Sequence, residues 1–355
     1  MAAPSPQAIS ELKQALGPEG WSEDPDVLAP HLREWRDRWQ GQTPILLKPG
    51  STAEVAAAVA ICARHRVAIT PQGGNTGLVG GQIPMGELLL TTRRLRAIRD
   101  VSPLDDALTV EAGVTLYKAQ QAALSVDRRF PLSLASEGTA TIGGVLSTNA
   151  GGTSVLRYGM ARDQVLGIEA VLADGRVFSG LKRLRKDNTG YDLKQLLIGA
   201  EGTLGIITAA TLKLSPVLRG RATAIVGLET PQQAVALLAR AKAESGGGVE
   251  AFELMKRLGT ELVLKWIPDT REPLESAPPW SVLIELGSGD PDTASAALER
   301  LLAGAFEDGL IEDAAIAANQ TQAQAFWRLR EEQSAGLKPE GGGWKHDVSV
   351  PVSQI

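Results

Sequence analysis

The segment that decides the fold is P-Q-G-G-N-T-G-L-V-G-G, from Pro71 to Gly81. It follows a short apolar run (Val67 to Thr70) that is predicted to be a strand, and five of its eleven residues are glycine. Adjacent glycines let a backbone approach a ligand closely and point successive N–H groups at an anion. The segment lacks G-K-[S/T] and the chain lacks G-x-G-x-x-G, so neither a P-loop nor a Rossmann fold is predicted. The alternative is a flexible surface turn, which the entropic cost of so many glycines disfavours.

Two further segments share this composition. The second is P-L-S-L-A-S-E-G-T-A-T-I-G-G-V-L-S-T-N-A-G-G, from Pro131 to Gly152, and the third is E-G-T-L-G-I-I-T, from Glu201 to Thr208. Small residues permit a flat ring system to approach the backbone. The alternative for the second segment is a tight contact between packed helices, and the alternative for the third is a turn followed by a buried strand. Taken together, the three segments predict a large bound dinucleotide in a domain without a Rossmann fold.

Composition excludes several other classes of protein. The 355 residues carry 36 basic and 41 acidic side chains, a net charge of −5, which gives no overall field for nucleic acid or an anionic membrane. A single cysteine excludes a disulfide framework and a CxxC metal or redox pair. The start of the chain does not read as a secretory signal, and no apolar run approaches the length of a transmembrane helix.

The order of the motifs resembles one family of flavoproteins. The glycine segment at Pro71 is followed by S-E-G-T-A-T-I-G-G, T-N-A-G-G, R-Y-G, K-D-N-T-G-Y-D-L and E-G-T-L-G-I-I-T. This series is similar to the FAD-binding domain of the vanillyl-alcohol oxidase / p-cresol methylhydroxylase superfamily. Within it, the resemblance is to the D-2-hydroxy-acid dehydrogenases, of the D-2-hydroxyglutarate, D-lactate and glycolate oxidase types. It implies an oxidoreductase that passes a hydride from a D-2-hydroxy acid to flavin N5, giving the 2-oxo acid.

The resemblance implies specific contacts to FAD. The first segment would hold the pyrophosphate, the second would line the flavin and ribityl chain, and the third would hold the adenosine side. The residues carried over are Gly73, Gly74, Asn75, Thr76, Gly77, Leu78, Pro131, Ser136, Gly138, Thr139, Gly143, Gly144, Asn149, Gly151, Glu201, Gly202, Ile206 and Ile207. The glycine segments contain no histidine or cysteine, so we expect FAD to be bound non-covalently. Cys62 lies on an alanine-rich predicted helix and is expected to be a core residue.

The alternation of elements predicts an α+β fold. We expect a helical lead-in over 1–42, a two-part FAD-binding domain of the p-cresol methylhydroxylase type over 43–216, and a substrate or cap domain over 217–355. After residue 216 the order strand, helix, strand, strand, helix, strand is ferredoxin-like. His31 and His65 fall in the early helical parts and are expected at the surface.

The residues that bind the substrate are predicted near the C-terminal end of this sequence. A helix is expected over 323–334 and a strand over 345–350. The resemblance implies that Arg330 and Lys345 hold the substrate carboxylate, with the Ser334 hydroxyl nearby; a guanidinium and an ammonium suit that role. Surface charges are the alternative for Arg330 and Lys345. Strand alternation would point His346 away from Lys345, so it is not expected to be the catalytic base.

Relatives in this family continue beyond K-x-D-x-S-x-P with histidine-rich segments that carry metal ligands and the proposed acid/base. We therefore expect a chain truncated at its C-terminal end, with no metal site of its own, a catalytic base beyond Ile355 and impaired turnover. A divalent metal is expected only with that further segment.

Other functional readings stay open. The chain could be an FAD-binding module that needs a partner, or a transferase like alkyl-dihydroxyacetone-phosphate synthase. The expected partners are a small 2-hydroxy acid and an unidentified electron acceptor, with a homodimer left open. A cytoplasmic location is expected, with peripheral membrane association through a quinone acceptor as its variant.

Overall fold

The computed structural model describes residues 4–341 and 343–355 and divides into two compact units. The first unit contains residues 4–152 and 159–216, and the second contains residues 153–158 and 217–355. The first residues of the predicted lead-in, 1–3, lie outside the described residues. Both units combine helices with antiparallel or mixed sheets, so the α+β prediction is confirmed.

The first part of the chain supplies short helices and many short strands. The helices are α1 (Pro6–Leu16), α2 (Pro25–Leu28), α3 (Thr52–His65), α4 (Leu116–Leu124), α5 (Ile142–Ser147), α6 (Val155–Tyr158, which belongs to the second unit) and α7 (Lys194–Leu197). The strands are β1 (Trp21–Ser22), β2 (Leu46–Leu47), β3 (Ile69–Gln72), β4 (Leu88–Thr91), β5 (Ile98–Ser102), β6 (Ala107–Glu111), β7 (Arg128–Arg129), β8 (Val165–Leu172), β9 (Val177–Gly180), β10 (Gly205–Lys213) and β11 (Ser215–Pro216).

Local sequence signals explain where several of these elements begin. The Ser5 hydroxyl accepts from the N–H of Ala8 at the start of α1, whose first residue is proline. Ser51 caps α3 by accepting from the N–H of Glu54. The Glu54 carboxylate accepts from the N–H of Gly50, so the reciprocal bond of a capping box, from the N–H of Ser51 to Glu54, is not made. The third glycine segment leads directly into one long strand, β10.

Two sheets form the scaffold of the first unit. One has the order β1-β2-β4-β3, in which β2, β4 and β3 run parallel. The other is antiparallel with the order β5-β6-β10-β8-β9. The first unit has one hydrophobic core around α3 and another around α4 and α5. Neighbouring residues of β10 contribute to both, since Ile206 packs into the core around α3 and Ile207 into the core around α4 and α5. Because successive side chains of a strand point to opposite faces, β10 connects the two cores.

The second unit is a ferredoxin-like layer of helices on a sheet. Its elements are β12 (Gly220–Leu228), α8 (Pro231–Glu244), β13 (Val249–Lys256), α9 (Arg257–Trp266), β14 (Trp280–Ser288), α10 (Thr293–Glu307), β15 (Asp313–Ile316), α11 (Gln320–Glu331) and α12 (Gln333–Leu337). The antiparallel sheet has the order β13-β14-β12-β15, which is the ferredoxin-like arrangement. Helices α8 and α10 bury Leu237 and Leu298 against Ile284 of this sheet. Helix α9 is an addition that the sequence pattern did not reveal.

Two predicted elements near the end of the chain are wrong. The helix expected over 323–334 ends at Glu331, and Ser334 lies in the separate helix α12. The strand expected over 345–350 does not form; these residues are exposed and irregular. Alternating side chains favour a strand only where a sheet edge is there to pair with it. Among the described residues, no helix is both long and apolar enough to cross a membrane.

Candidate functional site

The first glycine segment turns sharply out of β3 and packs directly against the second. A Cβ atom on Gly73 would lie 2.2 Å from the Thr141 hydroxyl oxygen, and one on Gly74 would lie 2.1 Å from the carbonyl oxygen of Thr139. Only glycine allows these approaches. Asn75 follows with a left-handed φ of 57°, a conformation that asparagine tolerates better than most residues. The two segments predicted to hold one cofactor are therefore in contact.

The polar groups of the first loop are oriented before any ligand arrives. Arg93 donates from Nε to the carbonyl of Gly73 (3.2 Å) and from Nη2 to that of Gly74 (3.1 Å). Gln82 donates to the carbonyl of Gly77 at 2.7 Å. Within the described residues, nothing accepts a hydrogen bond from the backbone N–H groups of residues 73–78. With several carbonyls held and these N–H groups available, the loop is suited to an anion such as a pyrophosphate.

A segment before β2 braces the same loop. We call residues 30–42 the collar. Asn75 donates from Nδ2 to the carbonyls of Pro30 (3.1 Å) and Arg33 (2.9 Å), and the ring of Trp39 lies against Gly80, where a Cβ would come within 2.7 Å of it. His31 was predicted at the surface, which is wrong: it is buried and contacts Gln72.

The second segment contains the whole of α5. Thr141 precedes the helix, and its hydroxyl is buried with no hydrogen-bond partner among the described residues. Gly143 lies so close to Ala112 that a Cβ would come within 2.7 Å of the alanine methyl. Asn149 has a left-handed φ of 47° and accepts from the N–H of Arg162 at 3.0 Å. An unpartnered hydroxyl beside Gly73 is what a polar ligand in this cradle would satisfy.

The third segment joins the first two. The N–H of Glu201 donates to the carbonyl of Ser147 at 2.9 Å, and a Cβ on Gly202 would lie 2.4 Å from Pro71. Ile206 and Ile207 are both buried, so their side chains serve the cores, and a ligand could reach only their backbone. Strand β6 pairs with β10 only as far as Ala209, which leaves the backbone edge at Ile206 and Ile207 beyond the end of that strand.

The remaining predicted cofactor residues lie in the same connected segments. Thr76, Gly77 and Leu78 follow Asn75 in the first loop, and Gly144 lies on α5. Pro131 is buried, the Ser136 carbonyl accepts from the N–H groups of Thr139 and Ala140, Gly138 has open space around it, and Gly151 is the next-to-last residue of the second segment. The three glycine segments thus converge within the first unit.

The sequence did not reveal the residues that hold these segments in place. Arg93 follows β4, and Arg162 donates to the carbonyl of Ile198 at 3.0 Å and to Gln195. Gln72 belongs to the first glycine segment but was not among the residues expected to contact FAD. These side chains acquire their roles only because segments that are distant in sequence lie close together; an arginine two residues after a buried strand is the weak local signal.

The predicted substrate residues lie in the second unit, and each has a protein partner. Arg330 on α11 donates from Nε to Oε2 of Glu253 at 2.7 Å. Lys345 Nζ contacts the hydroxyl of Ser334. Arg330 and Ser334 do not share one helix, because α11 ends at Glu331 and Ser334 lies on α12. The Lys345–Ser334 contact nevertheless places an ammonium beside a hydroxyl, as the carboxylate-binding hypothesis requires.

Burial determines the state of the single cysteine. Cys62 lies inside α3, is 1% exposed and is a free thiol. Desolvation raises the pKa of this thiol to about 12. The thiol therefore stays protonated, and the prediction of a core residue is confirmed.

These features define a class of protein: a flavoprotein with a glycine-rich cofactor cradle outside any Rossmann fold and a ferredoxin-like second domain. Comparison of families agrees with this. The FAD binding domain family matches residues 43–180, and the family described as FAD linked oxidases, C-terminal domain, matches residues 218–355.

The chain belongs to the family of FAD-linked oxidoreductases that includes the D-2-hydroxyglutarate dehydrogenases. It is 34% identical over 335 residues to the D-2-hydroxyglutarate–pyruvate transhydrogenase of Saccharomyces cerevisiae, covering 94% of this chain and 68% of that protein. It is 37% identical over 351 residues to the mitochondrial D-2-hydroxyglutarate dehydrogenase of Arabidopsis thaliana, covering 98% of this chain and 62% of that protein. A probable mitochondrial D-2-hydroxyglutarate dehydrogenase of Oryza sativa subsp. indica is 38% identical over 349 residues, with the same coverage. The chain thus spans about 62% of the length of these plant relatives.

Solved structures show the same fold. An alkyldihydroxyacetonephosphate synthase superposes with a TM-score of 0.75 at 19% identity, covering 94% of this chain and 64% of that one. A substrate-bound p-cresol methylhydroxylase superposes with a TM-score of 0.71 at 17% identity, covering 91% and 68%. The predicted architecture of the p-cresol methylhydroxylase type is confirmed.

The comparisons overturn one prediction. We expected a cytoplasmic protein, but the rice and Arabidopsis relatives are named as mitochondrial enzymes. Composition alone does not distinguish these two compartments, because both contain proteins of this charge and cysteine content.

Proposed function

We propose that this chain binds FAD non-covalently through its three glycine segments and serves the oxidation of a D-2-hydroxy acid, of the D-2-hydroxyglutarate or D-lactate type, to the 2-oxo acid. The observation that carries the proposal is the convergence of these segments around a loop whose N–H groups at residues 73–78 have no acceptor among the described residues. The relatives named as D-2-hydroxyglutarate dehydrogenases support the substrate class.

The first unit would bind and orient the cofactor. The N–H groups of residues 73–78 would donate to the pyrophosphate, and the Thr141 hydroxyl would gain the partner that it lacks within the described residues. Gly144 would leave room for a flat ring, because a Cβ there would meet only the Thr141 hydroxyl oxygen at 3.6 Å, whereas Gly143 allows the close packing of α5 on Ala112. Bound FAD would supply the oxidising chemistry, as acceptor of the hydride from the carbon that bears the hydroxyl group.

The side chains of the three glycine segments support non-covalent binding of FAD. The glycine segments contain no histidine or cysteine, and Cys62 is buried in a hydrophobic core. Acid precipitation of the FAD-loaded protein should release all the yellow colour into the supernatant. Colour retained in the pellet would contradict this part of the proposal.

The second unit would recognise the substrate carboxylate. Arg330, Ser334 and Lys345 present a guanidinium, a hydroxyl and an ammonium, and a guanidinium binds a carboxylate through two parallel hydrogen bonds. Ser334 and Lys345 are exposed and in contact with each other. A dicarboxylate such as 2-hydroxyglutarate could use more than one of these groups.

A visible spectrum tests the proposal. The purified chain, supplied with FAD and freed of excess, should show bound flavin bands near a stoichiometry of one. Anaerobic D-2-hydroxyglutarate or D-lactate should bleach these bands if the chain carries the whole reaction, whereas the L enantiomers serve as matched controls. Failure to retain any FAD would overturn the proposal. Retained FAD that no D-2-hydroxy acid reduces would leave the cofactor role standing and remove the independent dehydrogenase activity.

A further inference from the structure

A buried histidine supports the cofactor loop from behind. His31 lies in the collar, is 8% exposed, and its Nδ1 lies 2.6 Å from Oε1 of Gln72. Gln72 is the last residue of β3 and directly precedes Gly73. The contact thus acts at the point where the strand becomes the glycine loop.

The surroundings fix the hydrogen positions. Gln72 donates from Nε2 to the carbonyls of His31 (2.9 Å) and Gln82 (3.0 Å). Its amide nitrogen must therefore face these two oxygens, which leaves Oε1 as the acceptor of the remaining contact. Since Oε1 cannot donate, His31 must carry its proton on Nδ1. All three contacts of the amide are then satisfied by one orientation, and a flipped amide would lose both hydrogen bonds to the carbonyls of His31 and Gln82.

The hydrogen bonds of Gln72 also lead to the glycine loop through Gln82. Gln82, whose carbonyl Gln72 holds, donates to the carbonyl of Gly77 (2.7 Å) and to Oδ1 of Asn75 (3.2 Å). Asn75 in turn donates back to the collar at Pro30 and Arg33. Hydrogen bonds therefore join His31 to Gln72, Gln72 to Gln82 and Gln82 to Asn75, and Asn75 donates to Pro30, the residue before His31.

We propose that His31 is a positioning residue for FAD: through Gln72 it locks the entry of the glycine loop, so that the loop's N–H groups are aligned before the cofactor binds. This inference rests on the proposed function, since it assumes that the loop holds the pyrophosphate. A ligand that meets an already aligned loop does not have to pay the conformational entropy of ordering it. His31 itself need not touch FAD.

The geometry supplies a conservative replacement. The Nδ2 of asparagine is attached to Cγ, as the Nδ1 of histidine is, so His31→Asn keeps a donor close to the same place. His31→Leu keeps a similar volume and removes the donor. His65→Leu is the matched control, because His65 belongs to the same unit but pairs with Glu11 at the end of α3.

The test measures FAD affinity and stability separately. Apo proteins are titrated with FAD by flavin fluorescence at 10 °C, and the unfolding of each apo protein is followed by circular dichroism. His31→Leu should raise the Kd for FAD about tenfold, whereas His31→Asn and His65→Leu should stay within about threefold of the parent. The FAD affinity of His31→Leu is compared with that of the parent only if the apo variant is folded at the assay temperature. If it is unfolded, His31→Gln is used in its place. This variant moves the donor away from Gln72, and the same loss of affinity is expected.

The outcomes separate the inference from the function it rests on. If the parent chain binds no FAD, the proposed function fails. If the parent binds FAD and His31→Leu binds it equally well, only the role of His31 is overturned. Equal losses for His31→Leu and His31→Asn would also overturn it, because they would indicate a steric effect rather than the hydrogen bond to Gln72.

Discussion

Arg330 and Glu253 form an ion pair in which Nε and Nη2 of the arginine both lie 2.7 Å from Oε2 of the glutamate. The pair links α11 to β13 and is partly exposed, so it contributes at most about 1 kcal/mol to stability. It holds the edge of the guanidinium formed by Nε and Nη2, whereas Nη1 has no acceptor within the described residues. Under the proposed function, Nη1 would donate to the substrate carboxylate.

Replacing Arg330 tests that role. Arg330→Ala should weaken binding of 2-oxoglutarate, the oxidised form of the proposed substrate, by about 10- to 100-fold, because a charged hydrogen-bonding partner is lost. Binding is read as a perturbation of the flavin spectrum in FAD-loaded protein, which requires no turnover. Arg328→Ala, on the same helix, is the control and should change the affinity little. Similar losses for the two variants would remove Arg330 from the site.

Replacing Glu253 should act in the opposite direction. Glu253→Gln removes the competing negative charge and keeps an oxygen that can still accept from Arg330. The affinity for 2-oxoglutarate should therefore rise by about two- to fivefold, with the larger gain at low ionic strength. A titration at two salt concentrations checks this. A loss of affinity would show that Glu253 positions Arg330 more than it competes for it.

Arg93 offers a test of the cofactor loop that does not alter a glycine. Arg93→Met should release the carbonyls of Gly73 and Gly74 and weaken FAD binding by about tenfold, since the loop must then be ordered on binding. Arg94→Met is the matched control, because Arg94 donates to the carbonyls of Glu19 and Lys48 instead. Fluorescence titration distinguishes the two. Loss of affinity in both variants alike would point to general destabilisation.

A substitution within the loop gives a stricter prediction. Gly74→Ala would place a methyl group 2.1 Å from the carbonyl of Thr139, so the contact between the first two segments must open. We expect no measurable FAD retention after gel filtration. Gly289→Ala is the control, because a Cβ there meets no atom within 4 Å. Normal FAD retention by Gly74→Ala would show that the close contact is not needed for binding.

The parts of the fold that the sequence predicts are those governed by local signals. The Ser5–Pro6 start of α1, the Thr115 cap of α4 and the turn at Asp174 each depend on a few neighbouring residues. The glycine segments were recognisable for the same reason. Long-range pairing decides the rest: β10 runs unbroken from Gly205 to Lys213, because β8 pairs with it from Gly205 to Leu212 and β6 pairs with it from Ala209 to Lys213.

The candidate site shows the same division. The sequence identifies the glycines of the loop, but Arg93 and Gln72 acquire their roles from contacts with carbonyls of the loop and of residues 10 or 41 positions away. His31 was misplaced because a polar residue in a charged stretch normally lies at the surface. Its burial follows from the collar folding back over β3, which no local pattern indicates.

Cys62 gives a probe of the core around α3. With the thiol pKa raised to about 12, the reactive thiolate at pH 8 is about one part in ten thousand, and burial blocks access as well. The native protein should therefore resist iodoacetamide, while protein unfolded in urea should be labelled rapidly. Mass spectrometry after timed labelling measures both rates. Fast labelling of the folded protein would show that α3 opens under native conditions.

The acid sensitivity of the apo protein should depend on His31. Burial lowers the pKa of this imidazole, and the nearby charges of Arg93 and Lys48 act in the same direction, while the contact with Gln72 opposes them. The unfolded chain binds a proton at His31 more readily than the folded chain does. The part of the unfolding free energy that depends on His31 is therefore largest above the unfolded pKa of about 6.5 and decreases as the pH is lowered below it. The contribution of one such group cannot exceed about 1.4 kcal/mol per pH unit. Urea unfolding of the apo protein between pH 7 and pH 5 should show a shallower decline for His31→Asn than for the parent, since asparagine does not titrate. Identical slopes for the parent and His31→Asn would mean that the decline comes from other groups.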